Sequence, residues 1–261
     1  MARKKNLDMI IPIGILLVLA VIILLSTRGT RSYAYSNSEL WNHSAESIEG
    51  FALADTSELP PRSINNYIDH VIYINLADRT DRKISIEQVL SVFDKEKVTR
   101  FDAIKHTHGH MGCSKSHIAA LQMAIQNRWK NVMIVEDDMK WNNVAQSYPA
   151  FEKLATQPYD VIMIGSMNPL YDPTFKLLGS ATLTAYLVNQ SYYQTLLTNF
   201  QESLAGLENK FDDWQYCIDL YINRLMFTGN WRVVIPSLSI QTPNHSDIRN
   251  GHVDYTATST N

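Results

Sequence analysis

Only two cysteines, Cys113 and Cys217, occur in the 261 residues, too few for a disulfide framework. They lie at no metal-ligand spacing, and they can pair once at most. A basic excess is also missing. Lys and Arg total 23 against 26 Asp and Glu, a net charge of -3, so no positive stripe favours a nucleic acid partner. Glycine is sparse, at 10 residues, and no Gly-rich phosphate loop of the Walker type appears, which counts against a P-loop nucleotidyl or phosphoryl transferase. No internal repeat is visible, and the closing Thr258-Ser259-Thr260-Asn261 is no ER-retention tetrapeptide.

What is present begins with one long apolar run. Met9 to Leu25 carries no charge over 17 residues, about 26 Å as a helix, which is the short end of a bilayer span. Arg3, Lys4 and Lys5 precede it, so the first eight residues stay cytoplasmic and the bulk of the chain crosses. A cleaved signal peptide is the alternative, but the run is longer than the usual apolar core and no small-x-small site follows. The expectation is a single-pass type II membrane protein with its main domain on the non-cytosolic side, in a Golgi or ER lumen or a virus using one. Residues 26–65, rich in Ser, Asn, Glu and Thr and closing near Pro60-Pro61, read as a polar stem. Sequons at Asn42, Asn189 and Asn244 suit a lumenal face.

From residue 66 to 250 strands alternate with helices. Val71 to Leu76 is an apolar run of strand length that breaks into Ala77-Asp78-Arg79-Thr80-Asp81-Arg82, and Ile84, Val89 and Val92 continue near helical spacing. Val98 to Ile104 is a second strand. The histidines His106, His108 and His110 then alternate without a carboxylate in register, which favours a loop over a metal cluster. A helix follows from Gly112, with Ile118, Leu121 and Ile125 as its core stripe. Further strands are expected at Val132 to Val135, Tyr159 to Gly165, Thr182 to Val188 and Trp231 to Ile235. Helices are expected at Asn143 to Thr156, from Ser191 to Phe200, and from the Asp212-Asp213 pair onward. The pattern predicts an α/β sandwich with a mainly parallel sheet, leaving residues 251–261 as a tail.

The strand Val132-Met133-Ile134-Val135 ends in three consecutive carboxylates, Glu136, Asp137 and Asp138. Clustered like charges sit in water, pair with bases or bind a cation. Alternation along an extended chain puts Glu136 and Asp138 on one side and Asp137 on the other. An acidic turn that merely stops the strand is the competing explanation. Near the end of the first strand, Asn75, Asp78, Arg79 and Arg82 sit where ligands gather in open α/β sheets, and an arginine there can hold a phosphate.

Taken in order, Ile72-Tyr73-Ile74-Asn75-Leu76 with Arg79 and Asp81-Arg82, Phe101-Asp102-Ala103-Ile104, Gly112-Cys113-Ser114-x-Ser116-His117 and Val135-Glu136-Asp137-Asp138 resemble glycosyltransferase family 25. Ala185 to Val188, Asp212-Asp213 and Pro236 through Gln241 to Ser246-Asp247-Ile248 are similar to its closing segments. That family includes lipooligosaccharide and procollagen galactosyltransferases.

The resemblance implies a GT-A fold and an inverting hexose transfer, galactose or glucose, from a UDP-sugar to a glycan, glycolipid or hydroxylysine. It implies Mn²⁺ or Mg²⁺ on Asp138 and Glu136, with Asp137 beside them, and donor contacts from Asn75, Leu76, Arg79, Ser116 and His117. A base from another part of the chain must deprotonate the acceptor, and the resemblance points to Asp213, then Asp212. Lys115 inside the Ser-His block departs from the pattern. A tethered, non-catalytic sugar-binding or scaffold protein is the alternative function.

Overall fold

The computed structural model describes residues 59–210, 213–246, 248 and 251–253. The expected anchor, most of the stem, the Asn42 sequon, Asp212 and the tail beyond 253 lie outside the described residues. Among those described, no helix is long and apolar enough to cross a membrane.

A six-stranded sheet of order β2-β1-β3-β6-β5-β7 forms the centre. Its strands are β1 (His70–Asn75), β2 (Val98–Asp102), β3 (Asn131–Glu136), β5 (Val161–Tyr171), β6 (Leu177–Asn189) and β7 (Trp231–Val233). β1 runs parallel to β2 and β3, and β5 parallel to β7, while β6 is antiparallel to both β3 and β5. Five strands therefore share one direction and β6 opposes them, so the fold is mixed α/β with a mainly parallel sheet, as the alternating pattern predicts. Two small antiparallel pairs lie outside this sheet. β4 (Met139–Trp141) pairs β8 (Ser239–Gln241), and β9 (Asn244–Ser246) pairs β10 (Gly251–Val253).

Both faces are covered because the central strands are apolar on both sides. Ile72, Ile74, Val132 and Ile134 share a core with Leu121, Leu196, Phe200 and Trp231. The intervening Val71, Tyr73, Met133 and Val135 pack instead with Ile86, Val89, Phe151 and Leu154. Period-two alternation thus assigns the helices to two layers: α2 (Gly109–Asn127) and α4 (Tyr193–Asn209) on one, α1 (Thr80–Val89) and α3 (Val144–Ala155) on the other. α1 links β1 to β2 and α2 links β2 to β3 across the opposite face. Between β1 and β3 the connections diverge, and a crevice opens at the strands' carboxyl ends.

Three differences from the sequence pattern matter. α2 begins at Gly109, so His110 is helical and only His106 and His108 precede it. The β5–β6 arms extend well past the runs of apolar residues, as an antiparallel hairpin with shifted register from Met163 onward. The helix expected after Asp213 is broken into a 3-10 turn, Trp214–Tyr216, then α5 (Ile218–Tyr221) and α6 (Asn223–Met226).

β8 crosses close against β5. A Cβ at Gly165 would lie 2.9 Å from the Ser239 backbone oxygen and 2.4 Å from its Oγ, and the backbone atom cannot rotate away. Gly165→Ala is expected to lower stability by about 1–3 kcal/mol; an unchanged denaturation midpoint would show that β8 shifts freely.

Candidate functional site

A cavity of about 380 Å³ occupies the crevice. Its wall draws Leu76 and Asp78 from beyond β1, Lys105 and His106 from beyond β2, Cys113, Ser116 and His117 from α2, and Glu136, Asp137 and Asp138 from β3 and its turn. Thr182 of β6, Asp219 of α5 and Gln241 of β8 close it. The volume falls within the range of small-molecule pockets.

The acidic strand end is held from two sides. Glu136 continues the alternation of Val132 and Ile134 and faces α2, where His117 Nε2 stands 3.6 Å from its Oε1. Its other oxygen accepts a 2.9 Å hydrogen bond from Gln241 Nε2. Asp137 faces α1. The Arg82 guanidinium donates to Asp137 Oδ1 at 2.8 Å, and the Asn75 side-chain amide donates to Oδ2 at 2.7 Å. The strand ends at Glu136, so strict alternation stops there: Asp138 lies in a turn and also meets Arg82, at 3.3 Å. Arg82, Asp137 and Asp138 keep only 10–13% of their side-chain surface exposed, so each charge depends on the others.

That balance is incomplete at Asp138. Its Oδ1 is buried with no hydrogen-bond partner, and burial, followed by the charges of Glu136 and Asp137, pushes its carboxyl up to about 7 against the partial relief of Arg82. An unpaired buried carboxylate oxygen close enough to Glu136 to feel its charge is the kind of donor a divalent cation takes, and two carboxylates would suit Mg²⁺ or Mn²⁺. Asp219 is similar: burial, then Glu136, raise its carboxyl, while His110 and the Thr182 backbone amide lower it. Thr182 holds φ 67°, a costly conformation for a β-branched residue.

The structure brings together Leu76, Ser116, His117, Glu136, Asp137 and Asp138 on one wall. Ser116 is turned to structural use, donating to the Gly112 carbonyl and accepting from the Ile104 amide. Asn75 and Arg79 do not reach the cavity wall. Asn75 is 1% exposed and braces Asp137 and the Arg79 carbonyl, and Arg79 pairs with Asp81 at 3.0 Å. Asp213 does not line it either: its carboxylate accepts from the amide and side chain of Gln215 in its own turn. The acid that this segment presents to the cavity is Asp219, which the sequence did not single out because an acid nearly two turns into the expected helix resembles a solvated position.

Among the described residues, one group gathers three different metal-ligating side chains. Cys113, His117 and Glu136 each place a ligand atom within 4.8 Å of the others. The spacing of the cysteines along the chain did not foresee this, because Cys113 finds its companions four residues on and at the end of β3.

No protein-family model matches the chain, and no curated protein does. Solved structures are similar in outline. A glycosyltransferase involved in the glycosylation of the major capsid of PBCV-1 aligns with a TM-score of 0.44 at 11% identity, over 66% of this chain and 92% of that one. A 4-diphosphocytidyl-2C-methyl-D-erythritolsynthase from Anaerococcus prevotii aligns at 0.37 and 11%, over 73% and 75%. A mannose-1-phosphate geranyltransferase from Thermus thermophilus aligns at 0.38 and 8%, over 64% and 73%. At these scores the likenesses carry no functional conclusion.

Two substitutions with opposite effects test the charge balance. Arg82→Met leaves buried acids uncompensated and should cost about 3–5 kcal/mol in denaturant unfolding; a loss under about 1 kcal/mol would mean water already serves them. Asp138→Asn should instead raise the melting temperature in chelator. Between the ordinary 3.8 and about 7 the native carboxyl keeps a proton that the unfolded chain has released, so its contribution to stability declines as pH rises. The advantage of Asp138→Asn should widen across that interval, and a constant difference would show that Asp138 is not raised.

Proposed function

We propose that the chain is a metal-dependent inverting glycosyltransferase of the family 25 type, taking a hexose from a UDP-sugar. The observation that carries the reading is the orphaned, buried Asp138 oxygen beside Glu136, with a second raised carboxylate, Asp219, lining the same cavity. The family resemblance of the strand-end and Ser-His blocks supports it.

Asp138 and Glu136 would hold Mn²⁺ or Mg²⁺, which when bound supplies Lewis-acid stabilisation of a leaving diphosphate. Arg82 keeps Asp138 in place through the strand-end ion pairs. Lys105, paired with Asp78 where both line the cavity, is the cation suited to meet donor phosphate oxygens. Asp219 is assigned to proton removal. An acceptor hydroxyl attacking the sugar carbon gives its proton to the Asp219 carboxylate while the bond from that carbon to the diphosphate oxygen breaks. A raised carboxyl is the better acceptor for that proton. Asp213 is occupied by its own turn, which is why the role moves six residues on.

The apolar run 9–25 with its basic flank would tether this domain to a membrane as a type II protein, with glycans or glycolipids within reach as acceptors.

Release of UDP from a panel containing UDP-galactose and UDP-glucose should require Mn²⁺ or Mg²⁺ and stop in EDTA. Asp219→Asn should reduce turnover about 10²-fold or more with donor affinity little changed. Hydrolysis or transfer from no donor would remove the transferase reading and leave a binding protein. Full turnover in Asp219→Asn would place the base elsewhere.

A further inference from the structure

Cys113 has no part in the transfer chemistry, yet it lies on the cavity wall. His117 lies four positions on, so both side chains fall on one face of α2. Glu136 reaches them from β3. The Cys113 sulfur, one His117 nitrogen and one Glu136 oxygen are mutually within 4.8 Å.

The surroundings hold each ligand in position. His117 is 1% exposed, and its Nδ1 stands 2.8 Å from the Tyr186 hydroxyl. Its Nε2 faces Glu136 Oε1 at 3.6 Å, too far for a hydrogen bond and open to a bridging ion. Gln241 fixes Glu136 Oε2, which leaves Oε1 turned toward the histidine. A histidine tethered through its other nitrogen and a carboxylate hydrogen-bonded through its other oxygen are the usual outer supports of metal ligands.

We propose that Cys113, His117 and Glu136 form a three-ligand site for Zn²⁺ in the cavity wall, with a fourth position open to the cavity. Sulfur, nitrogen and oxygen donors with one open position are a set that zinc accepts and that Mg²⁺ does not favour. Ligation through Nε2 leaves the His117 proton on Nδ1, where it donates to the Tyr186 oxygen. As the S–Zn bond forms, the Cys113 thiol releases its proton to solvent. Burial and the nearby charges of Glu136 and Asp219 otherwise keep that thiol protonated.

Zinc here and Mn²⁺ or Mg²⁺ at Asp138 draw on the same Glu136 carboxylate, so the two ions compete. The site itself rests on the coordinates of three side chains, independent of any sugar transfer.

Titration of the full-length chain with Co²⁺ reads the site directly. The expected result is a near-ultraviolet thiolate-to-cobalt charge-transfer band that saturates at one equivalent and disappears when Zn²⁺ is added. Cys113→Ser should lose the band and bind Zn²⁺ at least about tenfold more weakly, whereas Cys217→Ser, which alters the only other thiol, should keep both. Co²⁺ bound without the band, or a band that survives Cys113→Ser, overturns the site. Should Cys113→Ser fail to fold, X-ray absorption on the zinc-loaded wild-type chain decides it: one sulfur at about 2.3 Å supports the site, and a shell of oxygen and nitrogen alone rejects it.

Discussion

The buried acids at the end of β3 depend on Arg82. Three acids follow one another at the end of a strand with two apolar faces, and two of them, Asp137 and Asp138, are nearly buried. Like charges so close, so far from water, cannot remain ionised unaided. The guanidinium of α1 spans both, and Asn75 completes Asp137. Removing that cation leaves two carboxylates that must take up protons or draw in water, and the turn that aims Asp138 loses its anchor. α1 therefore has a task beyond covering the sheet, and its start in a turn rich in Asp and Arg has a structural cause.

The second constraint is the alternation of β3. Its even-numbered residues face the layer of α2 and α4, its odd-numbered ones the layer of α1 and α3. Continuing by one residue sends Glu136 to His117 and Cys113, and the next sends Asp137 to Arg82. One short stretch thus meets a soft-donor face on one side and a cationic face on the other. The cavity lies where the two meet.

Much of this was legible in the sequence, for reasons that differ by element. Strands β1 and β3 are continuous apolar runs with abrupt polar ends, and such ends are where ligands collect in an open α/β sheet. Glu136, Asp137 and Asp138, expected from that position, and Ser116 and His117, expected from the family resemblance alone, all line the cavity. Asn75 and Arg79 share the same strand end but are consumed by internal bonding, a distinction that lies in side-chain direction and not in residue type. Cys113 was obscured because its companions are a helical turn and a strand away. The β5–β6 arms exceed their apolar runs because an antiparallel ladder continues through backbone hydrogen bonds once the side chains leave the core.

The segment after α4 shows why Asp219 was hidden. A continuous helix from Asp213 would place the first acids at its start, as caps, and later ones by helical period. The chain instead makes a 3-10 turn and restarts at Ile218 with Cys217 in extended geometry, so the period is reset. Asp213 spends its carboxylate on Gln215, and Asp219 becomes the first-turn acid of a four-residue helix directed at the cavity. Thr182, held at positive φ on β6, supplies the amide that faces it. Strain in a β-branched strand residue and burial of an acid near Glu136 are both unfavourable alone. Together they place one raised carboxylate in the cavity that Asp138 also lines.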